Sequence, residues 1–321
     1  MHILITGAAG FIGSNLAKRL LDSGHEVTGI DNFSYGFERN IAELKPNSKF
    51  HFIEGDVKEK SVFEGTSPDV IVHLASQKIP RYSNALKTLD ENYSMLKNVV
   101  AKCVECNAKI VFSSTSDVYG KNKNLPFDEE SDLVLGQTKI KRWAYALSKI
   151  YGEHYIIANN DEHGLKYTIV RFFGSYGLHQ NLTWWGGPQS VFISKAFDNE
   201  PIEIHGDGLQ TRTFTYVDDT VEALTHCVLN ESANGEIYNI GSNAEDEISI
   251  LDLATLIWRL VNGENSELKL KFIPYSNFGR YEDVMRRLPN IEKIKKQFGY
   301  EPKVHLEEGL QRTIEWQRNV G

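Results

Sequence analysis

His2-Ile-Leu-Ile-Thr6, running directly into Gly7-Ala-Ala-Gly10-Phe11-Ile12-Gly13, decides the fold. A short apolar stretch meets three glycines, and Phe11 to Leu21 then carries apolar residues at helical spacing until Ser23-Gly24. Strand, glycine turn and helix in that order form the context of a dinucleotide fingerprint. The glycines let backbone approach a pyrophosphate, and the helix N-terminus offers unpaired N–H groups at its positive dipole end. A second strand, Glu26-Val-Thr-Gly-Ile30, ends on Asp31. A carboxylate there can accept from both hydroxyls of an adenosine ribose and repels a 2′-phosphate, which favours NAD over NADP; its other role would be a loop cap. Asn32, and Asp56-Val57 after the strand His51-Phe-Ile-Glu-Gly55, complete this edge of the expected cofactor site.

Outward from this core, strands and helices alternate as a doubly wound parallel sheet requires. Strands are expected at 2–6, 26–30, 50–54, 69–74, 109–114 and 166–171, with helices at 86–106 and 144–160 among those between them. After Gly174 the pattern loosens through Trp184-Trp-Gly-Gly-Pro188, a helix near 190–199 and a strand around 202–205. Residues 220–229 and 236–240 return to the first pattern, and 249–321 read as helical with a strand near 269–273. The expected class is α/β: a Rossmann-type sheet over 1–173 plus 217–248, with a smaller, discontinuous α/β substrate-binding lobe from 174–216 plus 249–321.

Arg142-Trp-Ala-Tyr145-Ala-Leu-Ser-Lys149 lies in the second of those long helices. Spacing of four sets phenol and ammonium on one face, a turn apart. Tyrosine alone titrates near pH ~10, and a neighbouring ammonium favours the phenolate, so the pair is expected to act as a general base.

The glycine spacing together with Tyr-x-x-x-Lys resembles the extended short-chain dehydrogenase/reductase family, and its nucleotide-sugar branch of epimerases, dehydratases and decarboxylases. His73-Leu74-Ala75-Ser-Gln-Lys78, Ser113-Ser-Thr115-Ser116-Asp117-Val-Tyr-Gly120, Arg171-Phe-Phe-Gly174 and Gly206-Asp-Gly-Leu-Gln-Thr-Arg212 extend the likeness almost end to end. The resemblance implies NAD as cofactor, held by the glycine turn, Asp31, Leu74, Ala75, Lys78, Asn92, Tyr145 and Lys149. It implies oxidation of a nucleotide hexose at C4, with Tyr145 as acid/base, Lys149 beside it and Thr115 bridging to the sugar oxygen. Gly174, Arg212, Arg280 and Arg287 would meet the substrate, with arginine forks suited to a UDP-sugar's diphosphate; Arg287 also resembles an arginine that decarboxylases bring to a sugar carboxylate. Lys78 resembles the lysine that 4-epimerases set against the cofactor's phosphates; its other role would be a solvated loop lysine.

The step after oxidation turns on Ser116-Asp117. Dehydratases of the branch place a carboxylate here to remove the C5 proton, and decarboxylases carry Thr-Ser-Glu, one methylene longer. With Lys78 in the epimerase register, the sequence favours 4-epimerisation, with dehydration and decarboxylation as alternatives. Gly174 departs from an asparagine usual in epimerases, and Tyr145 lacks the usual preceding Ser-Pro.

Composition narrows the classes. A net charge of −8 over 321 residues argues against a nucleic-acid surface, and no stretch approaches the ~20 apolar residues of a membrane span. A cytoplasmic protein is expected. Three cysteines suit a reducing compartment, and Cys103-x-x-Cys106 lacks the further ligands of a zinc site, so no metal is expected. Leu86, Leu89, Tyr93, Leu96, Tyr151, Tyr155 and Ile156 exceed what one sheet face needs, and in the resembled family such helices pair into a homodimer.

Overall fold

A computed structural model describes residues 1–78 and 84–320. Strands β1 (His2–Thr6), β2 (Glu26–Asp31), β3 (Phe50–Glu54), β4 (Val70–His73), β5 (Lys109–Thr115) and β6 (Tyr167–Phe172) join a last strand, Glu236–Ile240, in one sheet. Its order is Glu236–Ile240, β6, β5, β4, β1, β2, β3, all parallel. The connections diverge from the seam between β1 and β4, which opens a crevice at the strands' C-terminal ends.

Helices cover both faces, which is why the central strands read as unbroken apolar runs. The covering helices are α1 (Phe11–Asp22), α2 (Ala85–Cys106) and α3 (Trp143–His163), with α5 (Val217–Leu229), while α4 (Pro188–Phe197) packs on the strand Ile202–His205 instead. Ile3, Ile5, Val72, Val111 and Val170 share a core with Leu16, Leu20, Val221 and Leu224 from α1 and α5. The alternate residues Leu4, Ile71, Ile110, Phe112 and Ile169 pack instead with Met95, Leu96, Val99 and Ile156 from α2 and α3. Strand period two thus sends neighbouring side chains to opposite cores. Asn84 caps α2 by accepting from Leu86 N at 2.9 Å, and Asn107 ends it in a left-handed conformation (φ 55°).

Outside the sheet, Ile202–His205 pairs in parallel with Leu270–Ile273. Thr211–Arg212 lies between Ile248–Ser249 and Arg286–Arg287, and the register puts Arg287 opposite Arg212. These two-residue strands were beyond sequence reading, because they are too short to show a period. Among the described residues, no helix is long and apolar enough to cross a membrane. Cys103, Cys106 and Cys227 are free thiols.

One ion pair is built into the core beside the site. Arg171 donates to Glu153 Oε1 at 3.1 Å and Oε2 at 2.7 Å, both residues are almost fully buried, and Ser114 donates to the same carboxylate. Removing one partner of such a pair strands a buried charge, costing about 3–5 kcal/mol. Glu153→Ala is therefore expected to lower the urea midpoint by an amount matching that loss; an unshifted midpoint would show that the pair is not structural.

Candidate active site

A cleft of about 710 Å³ opens at the crevice, within the size range of small-molecule sites. Its floor is the glycine turn. Gly7 takes φ 76°, and a Cβ on Gly13 would stand 2.1 Å from the Gly7 carbonyl oxygen, so α1 can press against the turn only without a side chain there. Gly10 is the N-cap, no side chain caps the helix, and its first turn carries no acidic residue. The first-turn N–H groups of an uncapped helix suit a pyrophosphate.

Asp31 is buried at the end of β2, where Oδ2 accepts from Ala9 N at 2.9 Å and Oδ1 from Phe33 N at 2.8 Å. Burial raises its carboxyl pKa, and backbone donors from Phe33 and Ala9 work against the rise. The capping role weighed from sequence is therefore present, yet each oxygen keeps a lone pair for a ribose hydroxyl. Asn32 and Asp56 close the edge, joined by an Asn32 Nδ2–Asp56 Oδ2 bond of 3.2 Å. Phe11, Ile12, Val57, Leu74, Ala75 and Lys78 also line the cleft. Residues and turn fit an NAD molecule. Asp31→Ser is expected to weaken NAD roughly 10- to 100-fold, the scale of lost charge-assisted hydrogen bonds, and to narrow its advantage over NADP in titration calorimetry. An unchanged preference would leave Asp31 as a cap only.

Tyr145 and Lys149 project from α3 into the cleft, with Thr115 at the tip of β5. The phenol holds hydrogen-bonding contacts to Ser76 and Thr115. Lys149 Nζ donates to Ser113 O at 2.7 Å and lies 5.9 Å from the Tyr145 ring centroid. The expected acidification of Tyr145 by Lys149 is not what the structure shows. Burial first, and the Asp117 charge second, push the phenol above its ordinary range. Burial brings Lys149 down to about 7, against an opposing pull from Glu153.

At the other end of the cleft, three guanidiniums meet two carboxylates. Asp117 Oδ1 accepts from Arg142 and Arg287 at 2.9 Å each, and Asp283 Oδ1 from Arg142 at 2.8 Å and Arg212 at 3.3 Å. Arg287 also reaches Ser116 Oγ at 3.4 Å. Burial alone would raise both carboxyls, but Arg287 and Arg142 hold Asp117 below its ordinary value, and Arg142, Arg212 and Arg287 hold Asp283 near 2. Arg212 is brought down to about 9 by burial and then by Arg287. Positive charge is in excess here.

The structure gathers all but two of the expected site residues. Asn92 lies behind the cleft wall rather than in it: it accepts from Gln77 N at 2.7 Å and donates to Ser148 Oγ at 2.9 Å, fixing the loop after β4 to α3. Arg280 is exposed and does not line the cleft, because the turn at Gly279 (φ 72°) leaves it outside while Tyr281 faces in. Arg142, unassigned from sequence, stands where a second arginine was sought. Its position three before Tyr145, on the same helix face, was the available signal. Gly174 explains the absent asparagine: a Cβ there would stand 2.5 Å from the Thr213 carbonyl oxygen.

The NAD-dependent epimerase/dehydratase family model matches residues 3–241. The chain belongs to that family. It is 36% identical to UDP-N-acetyl-alpha-D-glucosaminuronate decarboxylase of Bacillus cytotoxicus, over 99% of this chain and 98% of that protein. It is 35% identical to UDP-glucuronic acid decarboxylase 1 of Danio rerio, over 98% of this chain and 72% of the relative. Among solved structures, UDP-glucose 4-epimerase from Thermotoga maritima superposes with a TM-score of 0.87 at 29% identity, covering 100% of this chain and 99% of the other. The family shared by these proteins thus spans isomerases and lyases.

Proposed function

We propose that this family member decarboxylates a UDP-hexuronate of the glucuronate type, by way of a 4-keto sugar. One observation carries the reading: the cleft ends in Arg142, Arg212 and Arg287, which among the described residues form ion pairs with Asp117 and Asp283 alone. A diphosphate and a sugar carboxylate are the anions such an excess would recruit, and guanidinium forks match both. Both curated relatives named above are uronate decarboxylases. Asp117, held by two arginines, is poorly placed to take a C5 proton, which weighs against dehydration. Neutral-hexose epimerisation, favoured by the sequence, would use this charge for the diphosphate alone.

NAD, when bound, supplies the hydride acceptor at C4 and returns the hydride at the end. Tyr145 takes the proton of the C4 hydroxyl, and Thr115 hydrogen-bonds that oxygen. The ketone then stands β to the C6 carboxylate, held by Arg287. Breaking C5–C6 releases carbon dioxide and leaves its electron pair as a C4 enolate, whose oxygen Tyr145 and Thr115 stabilise by hydrogen bonding. C5 takes a proton originating from solvent, and Tyr145 restores the C4 hydroxyl proton. The sum is a UDP-pentose and carbon dioxide from a UDP-hexuronate and one proton.

Incubation with UDP-glucuronate, UDP-N-acetylglucosaminuronate and UDP-glucose tests the reading by NMR and trapped carbon dioxide. Carbon dioxide from an acid sugar, with UDP-glucose untouched, is expected. C4 epimers without carbon loss would restore epimerisation.

The same reading includes a homodimer. Leu86, Tyr93, Leu147 and Tyr151 are 61%, 40%, 49% and 44% exposed on α2 and α3, whereas Leu96 and Ile156, counted among the surplus from sequence, belong to the core. Sedimentation at micromolar concentration should give a dimer mass; a monomer would contradict it.

A further inference from the structure

We propose that Tyr35 and Trp185 form a clasp across the cleft rim that retains NAD between turnovers. Tyr35 follows Asp31 on the cofactor side, and Trp185, which also lines the cleft, lies in the segment leading into α4. Their rings stack with centroids 3.8 Å apart and planes 27° from parallel. Tyr35 is pinned from two further directions. Its hydroxyl donates to Gln77 Oε1 at 3.1 Å, and its carbonyl oxygen accepts from Asn181 Nδ2 at 3.4 Å. The loop carrying it lies flat on the glycine turn: Phe37 N donates to Ala9 O at 3.0 Å, and a Cβ on Gly36 would stand 2.7 Å from the Ala9 carbonyl carbon.

The stack therefore adds to the hydrogen bonds that already tie these two segments together, Asn181 Nδ2 to Tyr35 O and Asn40 Nδ2 to His179 O, and does so directly beside the surface that fits the dinucleotide. Exchange of the cofactor through that rim requires the rings to part. A reaction that returns its hydride leaves NAD unconsumed, so retention costs no turnover, and the clasp rests on that reading of the cofactor. Neither ring is needed for the proton transfers assigned to Tyr145 and Thr115.

The test measures NAD release from purified, loaded protein into a large excess of a fluorescent NAD analogue, alongside the NAD content per chain after gel filtration. Trp185→Ala and Tyr35→Ala should each release NAD about tenfold faster than the parent, the scale of one aromatic pair. The double variant should be no faster than either single, because either change breaks the same contact. Trp185→Phe, which keeps a ring in the stack, should stay close to the parent. Should an alanine variant fail to fold, the leucine variant at that position keeps bulk while losing the stack. Single variants that release at the parental rate, or effects that add in the double, overturn the clasp. A parent protein that carries no NAD defeats the cofactor reading and the clasp with it; a parent that retains NAD no longer than the variants defeats the clasp alone.

Discussion

Arg287→Met is expected to cut carbon dioxide release by roughly 30-fold to several thousand-fold, while the protein still binds NAD. The range corresponds to the about 2–5 kcal/mol for truncating one partner of a buried, hydrogen-bonded charge pair. Two losses act together. Arg287 contributes to the cationic excess offered to a substrate carboxylate, and it is one of the two guanidiniums on Asp117 Oδ1. Asp117 is also the charge that raises the Tyr145 phenol. With Arg287 gone, less of that charge is offset, so the phenol moves further up. The limb of the pH profile governed by Tyr145 should accordingly shift to higher pH. Arg287→Lys, which keeps the charge but not the planar fork, should fall between the two proteins. Near-normal carbon dioxide release from Arg287→Met would remove the central support for decarboxylation.

The parts of this molecule that could be read in advance are those whose signal is local. β1, the glycine turn and α1 are contiguous, and each announces itself: an apolar run, glycines where a Cβ would clash, a 3.6-residue period. Tyr145 and Lys149 are four apart on one helix, so their common face needed no tertiary knowledge. The cationic end of the cleft is different. Arg212 and Arg287 become neighbours only through a two-residue parallel bridge between distant segments, which leaves no periodic trace. Asp117 looked like a free carboxylate because the partners that silence it come from α3 and from that bridge. The same cause displaced Asn92 and Arg280. A polar residue on a helix or beside a glycine turn can point either way, and only packing decides whether it meets the cleft or the loop behind it. Burial also reversed the expected shift of Tyr145, since spacing reports that Lys149 is near but not how dry the site is.

That reversal makes Tyr145→Phe informative beyond its size. Turnover should fall by at least ~10²-fold, the contribution of a positioned general acid/base, with bound NAD retained because the glycine turn and Asp31 are untouched. The phenol in this structure is disfavoured as a base by its burial and by Asp117. It becomes competent only where nearby cations outweigh both: Lys149 beside it, and the arginines that offset Asp117. Phenylalanine keeps the ring and its packing, so a lost rate reports the hydroxyl alone. It also removes the contact through which Thr115 acts on the proton transfer. Thr115→Val in the Tyr145→Phe background should then cost much less than Thr115→Val alone, since the two groups act as one unit. Near-normal turnover in Tyr145→Phe would instead assign the proton transfer to another group, and the reading of α3 as the catalytic helix would fall with it.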